Sequence, residues 1–153
     1  MTEQERSSWG RRAAVLVTIM VGAVLVRSAI FHIENPYAHL SSIYAYRLTT
    51  PVVGVVVAAT VPFLQLTLGA MLIAMPPARA TALRWAAVLF SIFVATQLLT
   101  YLRGIDTSCG CFASANQTPI GIGSITLPAS CAIAALWGSR LVVHGENIME
   151  PRR

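Results

Sequence analysis

The sequence predicts an all-α fold: an integral membrane four-helix bundle with a short interfacial helix in its first outer loop. Three observations carry this expectation. Apolar residues fill 56% of the 153 positions and charged residues only 11%. Soluble domains carry about 25% charged residues, so this chain has too few to cover a water-facing surface. Four apolar runs stand out, each near the roughly 20 residues that a helix needs to cross a hydrocarbon core. The eleven basic residues, all arginine, cluster at the ends of those runs and form no continuous stripe. The net charge of +5 therefore follows membrane topology rather than a nucleic-acid footprint, and the expected surroundings are a lipid bilayer with no nucleic acid.

The chain divides into a polar N-terminal tail at 1–12, a helical membrane domain at 13–143 and a C-terminal tail at 144–153. The first run, Ala13 to Ile33, is too long for a signal-peptide core, and no small-residue cleavage site follows it. It reads as a retained span. Glu34-Asn35-Pro36-Tyr37 then opens a connection. Asn before Pro is a helix-start pattern, an N-cap followed by proline at the first helical position. Tyr37, Leu40, Ile43, Tyr44 and Arg47 recur at helical spacing, which predicts a short interfacial helix with its tyrosines at headgroup level. The second span covers Pro51 to Met75 and the third Trp85 to Leu102, joined by a tight antiparallel turn at 76–84. The fourth runs from Ile120 to Val143. Its start is the least regular, because Pro119, Gly121, Gly123 and Pro128 interrupt it.

Orientation follows from the arginines. With the N-terminus inside, the inner face holds Arg6, Arg11, Arg12, Arg79, Arg84, Arg140, Arg152 and Arg153, and the outer face holds Arg27, Arg47 and Arg103, eight against three. Positive charge prefers the cytoplasmic side, so both termini are expected there and the loop after the third span outside, in the periplasm or its equivalent.

That loop carries the most distinctive motif, Cys109-Gly110-Cys111. Two cysteines one residue apart close a small strained disulfide ring, and the central glycine lowers the backbone cost. Strained disulfides are reduced more readily than structural ones and suit exchange chemistry. The expected compartment is one where disulfides persist. Arg103, with Arg27 or Arg47 packed beneath the loop, favours a thiolate on one cysteine, and Asp106 opposes this unless it pairs with Arg103. Cys109 and Cys111 are thus the candidate redox residues, with Arg103 and Arg27 in support. Two other readings stay open. The disulfide can simply pin the loop, or His32 and His39 of the other outer loop can join the cysteines around a metal, although two cysteines alone fall short of a closed four-ligand zinc site. Neither a metal nor a cofactor is expected. Cys131, mid-way along the fourth span, reads as a packing residue.

Within the spans, Arg27 reads as a snorkelling arginine or as the partner of Glu34 or Asp106. Pro62 frees a carbonyl one turn earlier, and Gln65 beside it can bond across to another helix; the pair is either a tolerated kink or part of an inner polar site. No catalytic triad, phosphate-binding glycine loop or paired carboxylate is present. The spans hold too few polar groups for an obvious ion pathway, which disfavours a transporter.

Three stretches resemble a known family. Arg27 precedes Asn35-Pro36-Tyr37 and Tyr44-Ala45-Tyr46-Arg47-Leu48, closing at Pro51. Val61-Pro62-Phe63-Leu64-Gln65-Leu66 leads to Gly69. Arg103-Gly104 leads through Cys109-Gly110-Cys111-Phe112. Together, over about residues 13–140, they are similar to the methylamine utilisation protein MauE family, within the wider DoxX-like group of small membrane proteins. Three positions depart from the family pattern: Gln65 stands where glutamate is usual, Ala113 where glycine is frequent, and Thr49-Thr50 lengthen the approach to Pro51.

The resemblance implies a multi-pass protein of the bacterial inner membrane, linked to maturation of disulfide-rich methylamine dehydrogenase and acting with a periplasmic thioredoxin-like partner. It makes the chain a possible thiol–disulfide oxidoreductase component. The competing expectation is a non-catalytic membrane anchor or assembly factor with a structural Cys109–Cys111 disulfide.

Overall fold

A computed structural model describes residues 3–105, 107 and 120–149, and among them every regular element is helical. Helix α1 spans Glu3–Glu34, α2 Pro36–Ala45, α3 Pro51–Ala74, α4 Arg79–Leu102 and α5 Ile122–Met149. Four stretches are long and apolar enough to cross a membrane: Arg12–Glu34, Pro51–Ala74, Pro76–Leu102 and Ile122–Val143. Their outward residues are as apolar as their inward ones. Leu16, Met20, Phe63, Trp85, Ile92 and Trp137 all stand exposed. Such a surface is stable only against lipid.

The four long helices form a ring in which α1 packs on α3, α3 on α4, α4 on α5 and α5 back on α1. The α1–α3 seam shows the antiparallel register directly. Gly22 lies against Ile73, Val26 against Gly69, and Ser28 is bonded to Gln65. The seam is closed by glycines. A Cβ on Gly69 would lie 2.6 Å from Val26 Cγ2 and 3.0 Å from Gly22 O, so the backbones meet only because neither position carries a side chain. Small residues at a crossing are the main route to tight packing in lipid, where burial of apolar surface no longer drives association.

Alpha-helix α4 begins at Arg79, six residues ahead of the expected Trp85, and the turn shrinks to a single 3-10 turn at Pro76–Ala78. The side chain of Arg79 explains this. Its Nε donates to Leu72 O at 3.1 Å and its Nη2 to Ile73 O at 3.3 Å. The guanidinium therefore satisfies carbonyls that the end of α3 leaves open, where a cation is favoured.

At the other end, α2 leans on α3. The start signal at Asn35-Pro36 works differently from expectation. Pro36 is the first helical residue, but the Asn35 side chain makes no cap bond to α2. Its Nδ2 donates backwards to Phe31 O at 3.1 Å, closing α1 instead. Arg47 also departs from the helical face assigned to it. The helix stops at Ala45, and Arg47 turns the chain with φ of 51°. Tyr44 fastens the corner, its hydroxyl donating to Pro51 O at 2.9 Å while its ring lies flush on Gly54. Tyr37 is 87% exposed, as an interfacial tyrosine should be.

The apolar core, which includes Val21, Leu25, Leu72, Leu83, Ala86, Phe90, Cys131 and Ala135, fills the middle of the bundle and the half remote from α2. The half nearer α2 is packed less tightly. Both helix-internal prolines, Pro62 of α3 and Pro128 of α5, fall there. Each removes one ladder hydrogen bond and crowds the preceding turn.

Candidate functional site: the roots of the cysteine loop and a polar-ended cavity

Cys109, Cys111 and Asp106 lie outside the described residues; the ends of their loop lie within them. Helix α4 closes with a Schellman motif. Gly104, at φ of 64°, donates to Tyr101 O at 3.0 Å, and Ile105 N–H reaches Thr100 O at 3.3 Å. Glycine suits that left-handed position because it has no Cβ to clash. Ile120 N–H then donates to Thr107 O at 2.8 Å. Residues 108–119 therefore leave and rejoin the fold at one point. Ser124 secures the start of α5, accepting from Gly121 N–H at 3.0 Å.

Arg103 sits at this root, exposed, with Nη1 3.5 Å from Arg47 O. Two of the arginines expected near the loop are thus joined. Arg27 is on the exposed face of α1, one residue before the buried Ser28, and among the described residues it forms no ion pair with Glu34. That exposure fits a snorkelling side chain. Gln65 is not at the loop either. It is 1% exposed, inside the bundle.

Around Gln65 the helices enclose a cavity of about 350 Å³. Helix α1 contributes Ser28 and, one turn on, His32. Helix α2 contributes His39, α3 Gln65, α4 Gln97 and α5 Pro128. The polar side chains form a chain of contacts. Gln65 Nε2 lies 3.3 Å from Ser28 Oγ, and that hydroxyl is 3.3 Å from His32 Nε2. The imidazoles of His32 and His39 stack with centroids 3.9 Å apart and planes 27° from parallel. Gln65 can only donate through Nε2, so the Ser28 oxygen accepts from it, and the roles of Ser28 and His32 Nε2 in the second contact follow the histidine tautomer. His32 Nδ1, His39 Nε2 and Gln65 Oε1 are buried without a protein partner.

Burial lowers the pKa of His39, which keeps this imidazole neutral. Among the described residues no arginine or carboxylate lines the cavity. The structure brings His32 and His39 together as a stacked pair, a geometry that does not converge two nitrogens on a common ion. Among the described residues no cluster of three or more His, Cys, Asp or Glu is placed to hold a metal.

A sequence model of the methylamine utilisation protein MauE family matches residues 11–139, from the start of the first apolar run to near the end of the last. The chain belongs to the MauE family. Comparison with curated proteins and with solved structures gave no significant match.

The MauE match takes in the loop, its two roots and the cavity alike. Sequence reasoning offered Gln65 as part of an inner polar site but missed its convergence with Ser28, His32, His39 and Gln97. Ser28 and His32 at i and i+4 share one helix face, and Gln65 and Gln97 are amides within apolar helices. Those were the available signals. Their convergence with His39 depends on which helices are neighbours, which no single span reveals. Gln65 does bond across to another helix, as its place beside Pro62 allows.

Proposed function

We propose that this MauE-family protein is a membrane component of thiol–disulfide exchange, acting through Cys109 and Cys111 on proteins outside the cytoplasm. The observation that best supports this reading is the clamp between Thr107 and Ile120, which offers residues 108–119 as a closed loop at the end of the bundle. With the arginine balance of eight against three, that end faces the periplasm of a bacterial inner membrane and both termini face the cytoplasm.

In the forward direction a thiolate of a thioredoxin-like partner attacks one sulfur of the Cys109–Cys111 disulfide. The S–S bond breaks, a mixed disulfide forms, and the second loop cysteine leaves as thiolate. The partner's other thiolate then attacks the mixed disulfide. The partner ends oxidised, with one new disulfide, and the loop ends as a dithiol; two electrons have passed and two protons follow. Arg103 at the root of the loop favours the thiolate form. In the family's setting the exported client is methylamine dehydrogenase.

Separate Cys109→Ser and Cys111→Ser variants test the reading. One of them should accumulate a mixed disulfide visible on a non-reducing gel, and exported thiols should shift in redox state. If neither variant traps a partner nor moves exported thiols, the pair is a structural staple and the protein an anchor or assembly factor.

A further inference from the structure

We propose that the cavity between His39 and Gln65 binds a neutral, membrane-dissolved quinone, its ring oxygens taken by the buried imidazole and amide groups and its tail lying toward the lipid.

Four features of the cavity select this class of ligand. The first is charge. Among the described residues no arginine, aspartate or glutamate lines the cavity, so an ammonium, carboxylate or phosphate would find no charged partner on these walls. The walls therefore favour an uncharged ligand. The second is size. A void of roughly 150 Å³ accommodates a benzene ring, so about 350 Å³ holds a substituted ring.

The third feature is the uneven distribution of polarity. Val57, Val61, Leu64 and Phe93 make apolar walls, while Ser28, His32, His39 and Gln65 are among the polar residues that line it, with Ser42, Thr49, Thr96 and Gln97. An acyl tail alone offers them no hydrogen bond. His32 is 5%, His39 9% and Gln65 1% exposed, and each has a side-chain atom with no protein partner. A buried polar group without a partner is destabilising, so three on residues that line one cavity favour a ligand that carries polar oxygens to them. The fourth is the type of group. Neutral imidazoles both give and accept protons, as the two redox forms of a quinone require: carbonyls accept hydrogen bonds, and hydroquinone hydroxyls donate them.

Binding stands independently of the thiol chemistry. Where the proposed exchange also holds, the balance is complete: the Cys109–Cys111 dithiol loses two electrons and two protons to re-form its disulfide, and the quinone gains both to become hydroquinone.

The test is saturation binding to the full-length protein in lipid nanodiscs, using decylbenzoquinone and, as the control, decylbenzene. Decylbenzoquinone should bind at least ten-fold more tightly. His39→Leu and Gln65→Leu should each weaken it at least ten-fold. Val61→Phe, which fills the apolar side without touching a polar group, should do the same while leaving the thermal transition in place. Arg27→Gln should leave binding unchanged. Equal affinity for decylbenzene, or unimpaired binding in a correctly folded Val61→Phe protein, overturns the inference. A Cys109→Ser, Cys111→Ser double variant separates the two proposals: it should abolish exchange and keep quinone binding.

Discussion

Gln65 carries more of the interior than its place in an apolar helix suggests. Its amide ties α3 to Ser28 of α1, and through Ser28 to the stacked histidines. Gln65→Leu should therefore destabilise the bundle by about 1 kcal/mol, because a cross-helix hydrogen bond in lipid is worth roughly 0.6 and Ser28 is left short of a donor. Reversible unfolding in detergent or bicelles reads this. His39 has a different signature. Its folded pKa lies below the ordinary 6.5, so in the interval beneath 6.5 the unfolded chain takes up a proton that the folded chain resists. Stability should fall as pH drops through that interval and be flat above it. Among the described residues the titratable groups that share the cavity with His39 are His32, across the stack, and Tyr46; no described carboxylate or arginine lines it to hold the charge. The wild-type melting temperature should drop more between pH 7.5 and 5.5 than that of His39→Gln. Equal drops would remove His39 from the account.

At the scale of the helix, the α1–α3 seam and the end of α4 are the points of least tolerance. Gly69→Val forces its side chain into Val26 and the Gly22 carbonyl. Overpacking of this kind costs about 1–3 kcal/mol, and it should separate α1 from α3 and loosen the cavity between them. Gly104→Val places a β-branched residue at φ of 64° and should cost about 1–2 kcal/mol. Its effect should concentrate on the root of the cysteine loop, read as faster amide exchange at Ile105 than in α3. These elements also show where sequence is informative. The apolar runs announce the four spans because lipid demands apolar residues on every side. Charge misleads at Arg79 and Arg84, which look like turn residues until the Arg79 guanidinium is seen capping α3. Asn35 is legible as a boundary, but its side chain serves the helix behind it.

For the whole molecule, the ring order of α1, α3, α4 and α5 joins what the sequence keeps apart. His32, His39, Gln65 and Gln97 are spread over four helices and meet only once those helices pack. A span read singly offers one polar residue, which is usually a tolerated exception. The cysteine pair is the reverse case. Its chemistry is visible in three residues, while the structure contributes the Thr107–Ile120 clamp that carries the loop at the α2 end. The proposed account is a division of labour along the membrane normal. Exchange takes place at the outer loop, an uncharged ligand lies in the less tightly packed half beneath it, and the packed half toward the cytoplasm holds the bundle together.

The most direct test of this account is labelling of the loop thiols in whole cells. The chain has 3 cysteines, so Cys131→Ser leaves Cys109 and Cys111 alone. Cells carrying this variant are treated with a membrane-impermeant maleimide, with and without brief exposure to a mild, impermeant reductant. The account predicts no labelling before reduction and labelling of both cysteines after it, from outside and without denaturing the protein. Labelling only after the membrane is opened contradicts the topology. A pair that yields only to strong reductant in denaturant contradicts exchange.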